Sequence, residues 1–512
     1  MCMIQNPVMS GFYPDPSICH VERKNEKGEV IREYYMVHST FCYVPGIPVF
    51  YSTDLCSWEL ISHVLTRKEQ LRFEGASMSQ GIYAPCIRYH EGMFFVTCTN
   101  VSDGGNFYTT AKDPRGPWSD LIYLPDAEGI DPSLYFEGDT CYYVGQRTKK
   151  DAKYNGDCEI WLQELDLKEK KLTGPVSVLW DGALKNAVWP EGPHIYKKGE
   201  YYYLMIAEGG TAFSHSICIA RSKDLRGPYE ASPNNPVFTH RHLGNKAEVQ
   251  NVGHADLVEH ESGKWYAFML GTRPVNGVAP LGRETFVAEV EWQEDWPVIN
   301  PLIGMLSNVV SRKKQEKLHW TKPLDPRCLI FRYPLEPFYR IQTEQSGEDI
   351  LAMELSEKDF STEKSPAYIG IRVTNHRYCY ETKMEFTLLC GGSAGLVYLY
   401  DEKNYVKFVF TEKEDDCYYL QLILAEEGKE AMLTEQKSRA GVYGMKLALD
   451  ATYLQAYLDG EAFGSKVDVS NLTSEKAGGF VGCTMGVYTG GAKAQSDTKE
   501  YVYFSGVNII GG

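Results

Sequence analysis

Three acidic residues carry the most suggestive chemistry in this chain. Asp15 lies in Tyr13-Pro14-Asp15-Pro16-Ser17, Asp131 in Gly129-Ile130-Asp131-Pro132-Ser133, and Glu191 in Trp189-Pro190-Glu191-Gly192-Pro193-His194. Prolines on both sides of Asp15 fix the backbone and leave its carboxylate little freedom, which suits a pre-positioned base. Glu191 has apolar strand on both sides and is followed by Gly-Pro, a step that admits close approach of a ligand. Burial disfavours a charged carboxylate, so Glu191 gains the raised pKa that a general acid needs near neutrality. Asp131 is placed to keep Glu191 protonated by like-charge repulsion. One carboxylate that takes a proton from water and another that gives one to a leaving oxygen are the equipment for glycoside hydrolysis. Taken singly, each residue reads more simply as a turn Asp or a hydrogen-bonded structural Glu. Their weight comes from a shared phase within a repeat.

The repeat occupies the first 300 residues and consists of a polar residue, a small or proline-containing step, a short strand, a turn and an aromatic strand. It begins at Asp15, Ala84, Asp131, Glu191 and His254, and the spacings of 69, 47, 60 and 63 residues suit four-stranded blades with variable loops. Three hairpins of one type support the count: Asp54-Leu55 with Trp58, Asp113-Pro114 with Trp118, and Asp224-Leu225 with Tyr229. The fold class is therefore all-β, with a five-bladed β-propeller whose innermost strands face one channel. That geometry gathers Asp15, Asp131, Glu191 and His254. For His254 three readings stay open: a neutral donor to substrate, a metal ligand, or a satisfied core histidine.

After Asn300-Pro301 the repeat stops. The charged run at 311–317 reads as a solvated linker, and from about Leu329 short strands separated by turns suggest a β-sandwich of jelly-roll type. The expected units are residues 1–303, a linker at 304–325, and 326–512.

Composition narrows the partners. With 52 Lys+Arg against 68 Asp+Glu the net charge is −16, which repels phosphate backbones and anionic membranes, so neither nucleic acid nor membrane is expected. No uncharged stretch reads as a spanning helix. Met1 to Ser10 show neither the basic nor the apolar region of a secretory signal, so the expected location is cytoplasmic. The 14 cysteines form no CxxC pair and no zinc spacing, and reduced, buried thiols are expected.

Across residues 6 to 302 the chain resembles glycoside hydrolase family 43, propeller enzymes that release xylose or arabinose from plant polysaccharide fragments. The matching motifs are Asn6-Pro7, Gly11 to Ser17, Gly129-Ile130-Asp131, Glu191-Gly192-Pro193-His194, Ala207 to Thr211 with His215, Gly253 to Leu257, Gly271 to Pro274, and Leu281 to Thr285. The resemblance implies Asp15 as general base, Asp131 as pKa modulator and orienter, and Glu191 as general acid, with inversion at the anomeric carbon. It further implies that Arg283 contacts hydroxyls of the terminal sugar and that Phe41 forms a hydrophobic wall. Tyr83 stands in the same subsite where many relatives have Trp. No cofactor is required by this reading, although the resemblance leaves room for a structural Ca2+ near His254. In similar enzymes a loop of the sandwich closes the pocket and favours exo action. The expected activity is β-xylosidase, with non-reducing-end α-L-arabinofuranosidase and a non-catalytic sugar-binding propeller as alternatives. Substrates would be xylo- or arabino-oligosaccharides. A homo-oligomer is compatible with the sequence.

Overall fold

A computed structural model of the chain describes residues 4–24, 27–307, 309–310, 314–332, 337–344, 347–360, 365–414, 417–493 and 499–512. Five four-stranded antiparallel sheets follow one another along the first part of the chain. Their first strands are Ser17–Lys24, Ile82–His90, Ile130–Glu137, Glu191–Lys198 and Gln250–Glu259. Each first strand touches the first strand of the next sheet, and the first sheet meets the fifth, so the five blades close into a ring.

Why the blade strands are apolar on both sides is visible in Tyr201–Glu208. Successive side chains point to opposite faces of a strand. Tyr202, Leu204 and Ile206 pack with Val144, Ile160 and Leu162 of the preceding blade, while Tyr203 and Met205 pack with Ala267 and Met269 of the following one. A strand between two blades thus has no solvent face, and its alternation disappears from the sequence.

The hairpin turns follow their aspartates. Oδ1 of Asp54 accepts from the Cys56 and Ser57 amides, and Asp113 and Asp224 accept from the amides two residues on, each at 2.8 Å. The ring is closed by the amino-terminal segment, which bonds to the strand Glu284–Gln293: Met9 bridges Thr285, and the Asn6 amide both donates to Val287 O and accepts from Val287 N at 2.9 Å.

Two larger sheets make the sandwich. The strand Arg377–Phe386 alternates exposed and buried residues along most of its length, as one face of a sandwich should. The expected linker is partly built into this unit. Lys314–Leu318 pairs antiparallel with Val507–Gly511, and Trp320 is fully buried with its indole N–H donating to Ser505 O at 2.7 Å. The remaining positions of the charged run, 311–313, lie outside the described residues.

The two units are joined through backbone and core. Tyr43–Val44, within the first blade's connection, pairs with Leu329–Phe331 and so becomes the edge of the eight-stranded sandwich sheet. One hydrophobic cluster runs from Phe12, Phe41 and Leu281 to Trp320, Tyr368 and Val373. Among the described residues the cysteines are free thiols, and no helix is long and apolar enough to cross a membrane.

Candidate active site

The blades present their acids by a common backbone device. First strands two to five shift register near their start, at Tyr83/Cys86, Ile130/Ser133, Glu191/His194 and Gln250/Gly253. Such bulges re-aim side chains away from the regular pleat. Asp15 and Asp131 both have φ 54°, His254 has φ 47°, and Gly192, next to Glu191, has φ 58°. Left-handed backbone costs a non-glycine residue roughly 1–2 kcal/mol, and here it recurs at one phase of the repeat. Two glycines are dictated by close approach. A Cβ on Gly192 would lie 2.9 Å from the His254 ring, and one on Gly253 would lie 2.5 Å from the His215 ring. The space beside Glu191 expected to admit a ligand is therefore taken by the His254 imidazole.

Asp15, Asp131 and Glu191 face one another closely enough for their charges to couple, and they differ in proton affinity. Burial pushes Asp15 up, but Arg283, His254, the Ser39 hydroxyl and His215 outweigh it and hold the carboxyl below its usual value. Ser39 Oγ donates to Asp15 Oδ2 at 2.6 Å, Arg283 Nη1 donates to Oδ1 at 3.0 Å, and His254 Nδ1 stands 3.9 Å from Oδ1. Asp131 is pushed up to about 6: burial is the main cause, the Asp15 charge adds to it, and His254 and the Gly192 amide, which donates to Oδ2 at 3.2 Å, oppose it. Glu191 is raised well above the ordinary carboxylate range, first by burial, then by the charges of Asp131 and Asp15, with Arg283 opposing. Its side chain keeps some solvent access.

The wall beside these acids is aromatic. Phe41 and Tyr83 meet edge to face at 5.8 Å, and Phe480 completes the group, stacked 6.5 Å from Phe41 and edge-on to Tyr83 at 5.7 Å. Arg283 lies 5.9 Å from the Phe41 ring and 5.6 Å from the Phe480 ring, and it also donates to Thr211 Oγ1 at 3.1 Å. Phe480 belongs to the sandwich. Its amide donates to Ser79 Oγ at 3.0 Å and its carbonyl accepts from Arg283 Nη2 at 3.4 Å, so the loop 478–482 is the one that reaches the site. Sequence reasoning did not find Phe480, Ser39 or Thr211 as site residues. Thr211 ends the Ala207 to Thr211 motif, Ser39 lies two residues before Phe41, and Phe480 follows Gly478-Gly479 with no other signal.

Deeper in the channel, Asp256 is fully buried and joins four blades. It accepts from Ser17 Oγ at 2.8 Å, Arg88 Nη1 at 2.8 Å and Tyr196 Oη at 2.6 Å, while Arg88 Nη2 bonds His194 Nδ1 at 2.8 Å. Burial opposes the Asp256 charge, but Arg88 and its other partners keep it ionised. A buried pair of this kind fixes geometry more surely than it adds stability.

A calcium ion would need six to eight oxygen ligands. No group of three or more His, Cys, Asp or Glu side chains among the described residues is arranged to hold a metal ion, and the carboxylate measured beside His254 is Asp15, already bonded to Ser39 and Arg283. Acidic and imidazole side chains alone therefore supply no calcium cage at that position among the described residues.

The model for glycosyl hydrolases family 43 matches residues 4–297, and the model for the β-xylosidase C-terminal concanavalin A-like domain matches residues 321–507. A xylosidase/arabinosidase of Butyrivibrio fibrisolvens is 41% identical over 99% of each chain. A non-reducing end α-L-arabinofuranosidase of Bacteroides ovatus is 34% identical over 98% of this chain and 94% of its own. The crystal structure of a xylan β-1,4-xylosidase from Bacillus halodurans superposes with a TM-score of 0.87 at 30% identity, covering 99% of this chain and 100% of the other.

Proposed function

The chain belongs to glycosyl hydrolase family 43, and from that premise we propose that it is an exo-acting, inverting β-xylosidase that takes terminal xylose from short xylo-oligosaccharides. The observation that carries this reading is the opposite setting of clustered, buried carboxylates: Asp15 is bonded to Ser39 and Arg283 and held below its usual value, while Glu191 is raised by burial and by the charges of Asp131 and Asp15.

Asp15 serves as general base. Ser39 and Arg283 each occupy one lone pair on a different oxygen, and a carboxylate has about four such sites, so accepting capacity remains for the proton of the attacking water. Glu191 serves as general acid and protonates the departing glycosidic oxygen while the water adds to the opposite face of the sugar. Asp131 raises the proton affinity of Glu191 and, through the Gly192 amide, fixes the backbone next to it. Tyr83 and Phe480 offer apolar faces to a single terminal pentose, Phe41 is buried against both of them, and Arg283 offers donors to the sugar hydroxyls. Release of arabinose from α-L-arabinofuranosides is the second reading, supported by the full-length likeness to the Bacteroides ovatus enzyme.

The test pairs 4-nitrophenyl β-D-xylopyranoside with 4-nitrophenyl α-L-arabinofuranoside and follows the released sugar by NMR. Faster hydrolysis of the xyloside with α-xylose as first product supports the proposal. Faster hydrolysis of the arabinofuranoside selects the second reading, and first-formed β-xylose from the xyloside rejects the inverting mechanism.

A further inference from the structure

The segment that carries Asp15 is held one residue at a time. The Gly11 amide donates to Glu284 Oε1 at 3.0 Å, and Glu284, fully buried, is locked by two bonds from Arg273 at 2.7 and 2.8 Å. The Phe12 carbonyl accepts from Arg372 Nε at 2.9 Å. The Tyr13 carbonyl accepts from Thr285 Oγ1 at 2.6 Å, and the Pro14 carbonyl accepts from the Ser39 amide at 3.3 Å. Asp15 follows, with left-handed backbone and its carboxylate on Ser39 and Arg283.

Three of the four backbone anchors come from the propeller itself, and the fourth is a sandwich residue. Arg372 ends the strand Ala367–Arg372, is 5% exposed, and places its guanidinium 4.6 Å from the Phe12 ring and 4.2 Å from the Tyr13 ring, with Nη1 3.4 Å from Tyr13 Oη. A planar, always charged group can hold a carbonyl at its edge while its face covers two rings; a lysine ammonium cannot do both. Burying such a charge is costly, so its position here calls for a return. Resting on the reading of Asp15 as general base, we infer that Arg372 is a positioning residue: the sandwich sets the aim of the catalytic base through the Phe12-Tyr13 peptide. This is separate from the wall that Phe480 supplies, because Arg372 acts from behind the base.

Burial, Arg283, His254, the Ser39 hydroxyl and His215 set the proton affinity of Asp15, with Asp131 and Glu191 facing it across the site and the buried His38 interacting with both Asp15 and Arg372. Arg372 is not among the dominant ones. Arg372→Lys keeps the positive charge, so an acidic limb of the rate profile displaced in that variant reports a shift of the segment that loosens the Ser39 and Arg283 bonds, whereas loss of the charge alone shows only in Arg372→Met. A lesion that merely reduces the folded fraction would scale kcat and leave that limb in place.

The experiment measures kcat, KM and the pH dependence of kcat/KM for Arg372→Met, Arg372→Lys and Asp15→Asn with the nitrophenyl xyloside, alongside thermal melting. Arg372→Met is expected to lose about ten- to a hundredfold in kcat, the scale of a small misplacement, with KM within about twofold and the acidic limb displaced upward. Arg372→Lys should recover part of the loss and part of the displacement. If the Met variant does not melt cooperatively, the Lys variant decides: wild-type kcat and an unmoved limb overturn the inference. If Asp15→Asn keeps wild-type turnover, the base reading itself falls and this inference with it. If Asp15→Asn is inactive while both folded Arg372 variants behave as wild type, only the role of Arg372 is lost.

Discussion

Asp15 and Glu191 begin the first strands of two blades one residue apart in phase, and their surroundings are opposite. Asp15 is hydrogen-bonded to Ser39 and Arg283 and faces His254, and its charge is favoured in spite of burial. Glu191 accepts no side-chain hydrogen bond among the described residues and faces two other acids, so its proton is favoured. The left-handed slot that Asp15 itself fills is taken in the fourth blade by Gly192, with Glu191 one residue before it. What sets their proton affinities apart is neighbours drawn from elsewhere, chiefly one arginine on the fifth blade and one serine from the first blade's connection.

That contrast can be broken from the base side first. Asp15→Asn removes the charge that takes the water's proton, and we expect turnover to fall by at least about a thousandfold on every substrate, with the fold intact by circular dichroism. Glu191→Gln should cost about a hundredfold on xylobiose and much less on a nitrophenyl xyloside, whose leaving group needs little protonation. Equal losses on both substrates would argue against Glu191 as the acid. The contrast is sharpened by titration. Activity requires Asp15 charged and Glu191 protonated, so the acidic limb should lie below the ordinary carboxylate value and the basic limb well above it. In Asp131→Asn one negative neighbour is gone, the Glu191 proton is held less tightly, and the basic limb should move to lower pH by about one unit; a limb that stays put denies Asp131 its modulating part. Smallest, Phe480→Ala should raise KM about three- to tenfold while changing kcat little, since one aromatic face is lost.

Much of this was legible in the chain. Phase made the three acids and His254 visible, because a blade repeat brings residues at matching positions to one axis whatever the loop lengths. Turn aspartates such as Asp54 and Asp224 were legible because their chemistry is local. What stayed hidden depends on contacts over long separations. Ser39 reaches Asp15 across 24 residues and Phe480 reaches Arg283 across 197, and neither has a periodic signature. The run at 314–318 read as linker because its charged side chains dominate the composition. As strand, Lys314–Leu318 pairs, among the described residues, with Val507–Gly511 alone, and such edges commonly carry charge to discourage further pairing.

The pairing of Tyr43–Val44 with Leu329–Phe331 has a practical consequence. The connection that delivers Ser39 and Phe41 to the reaction centre is stitched, two residues later, into the other half of the molecule. A protein cut near residue 303 would be left with a bare strand edge and a torn apolar seam beside its own catalytic groups. Heating should accordingly melt both halves in one step, and grafting this propeller onto a foreign partner would leave the xylose pocket without its backstop.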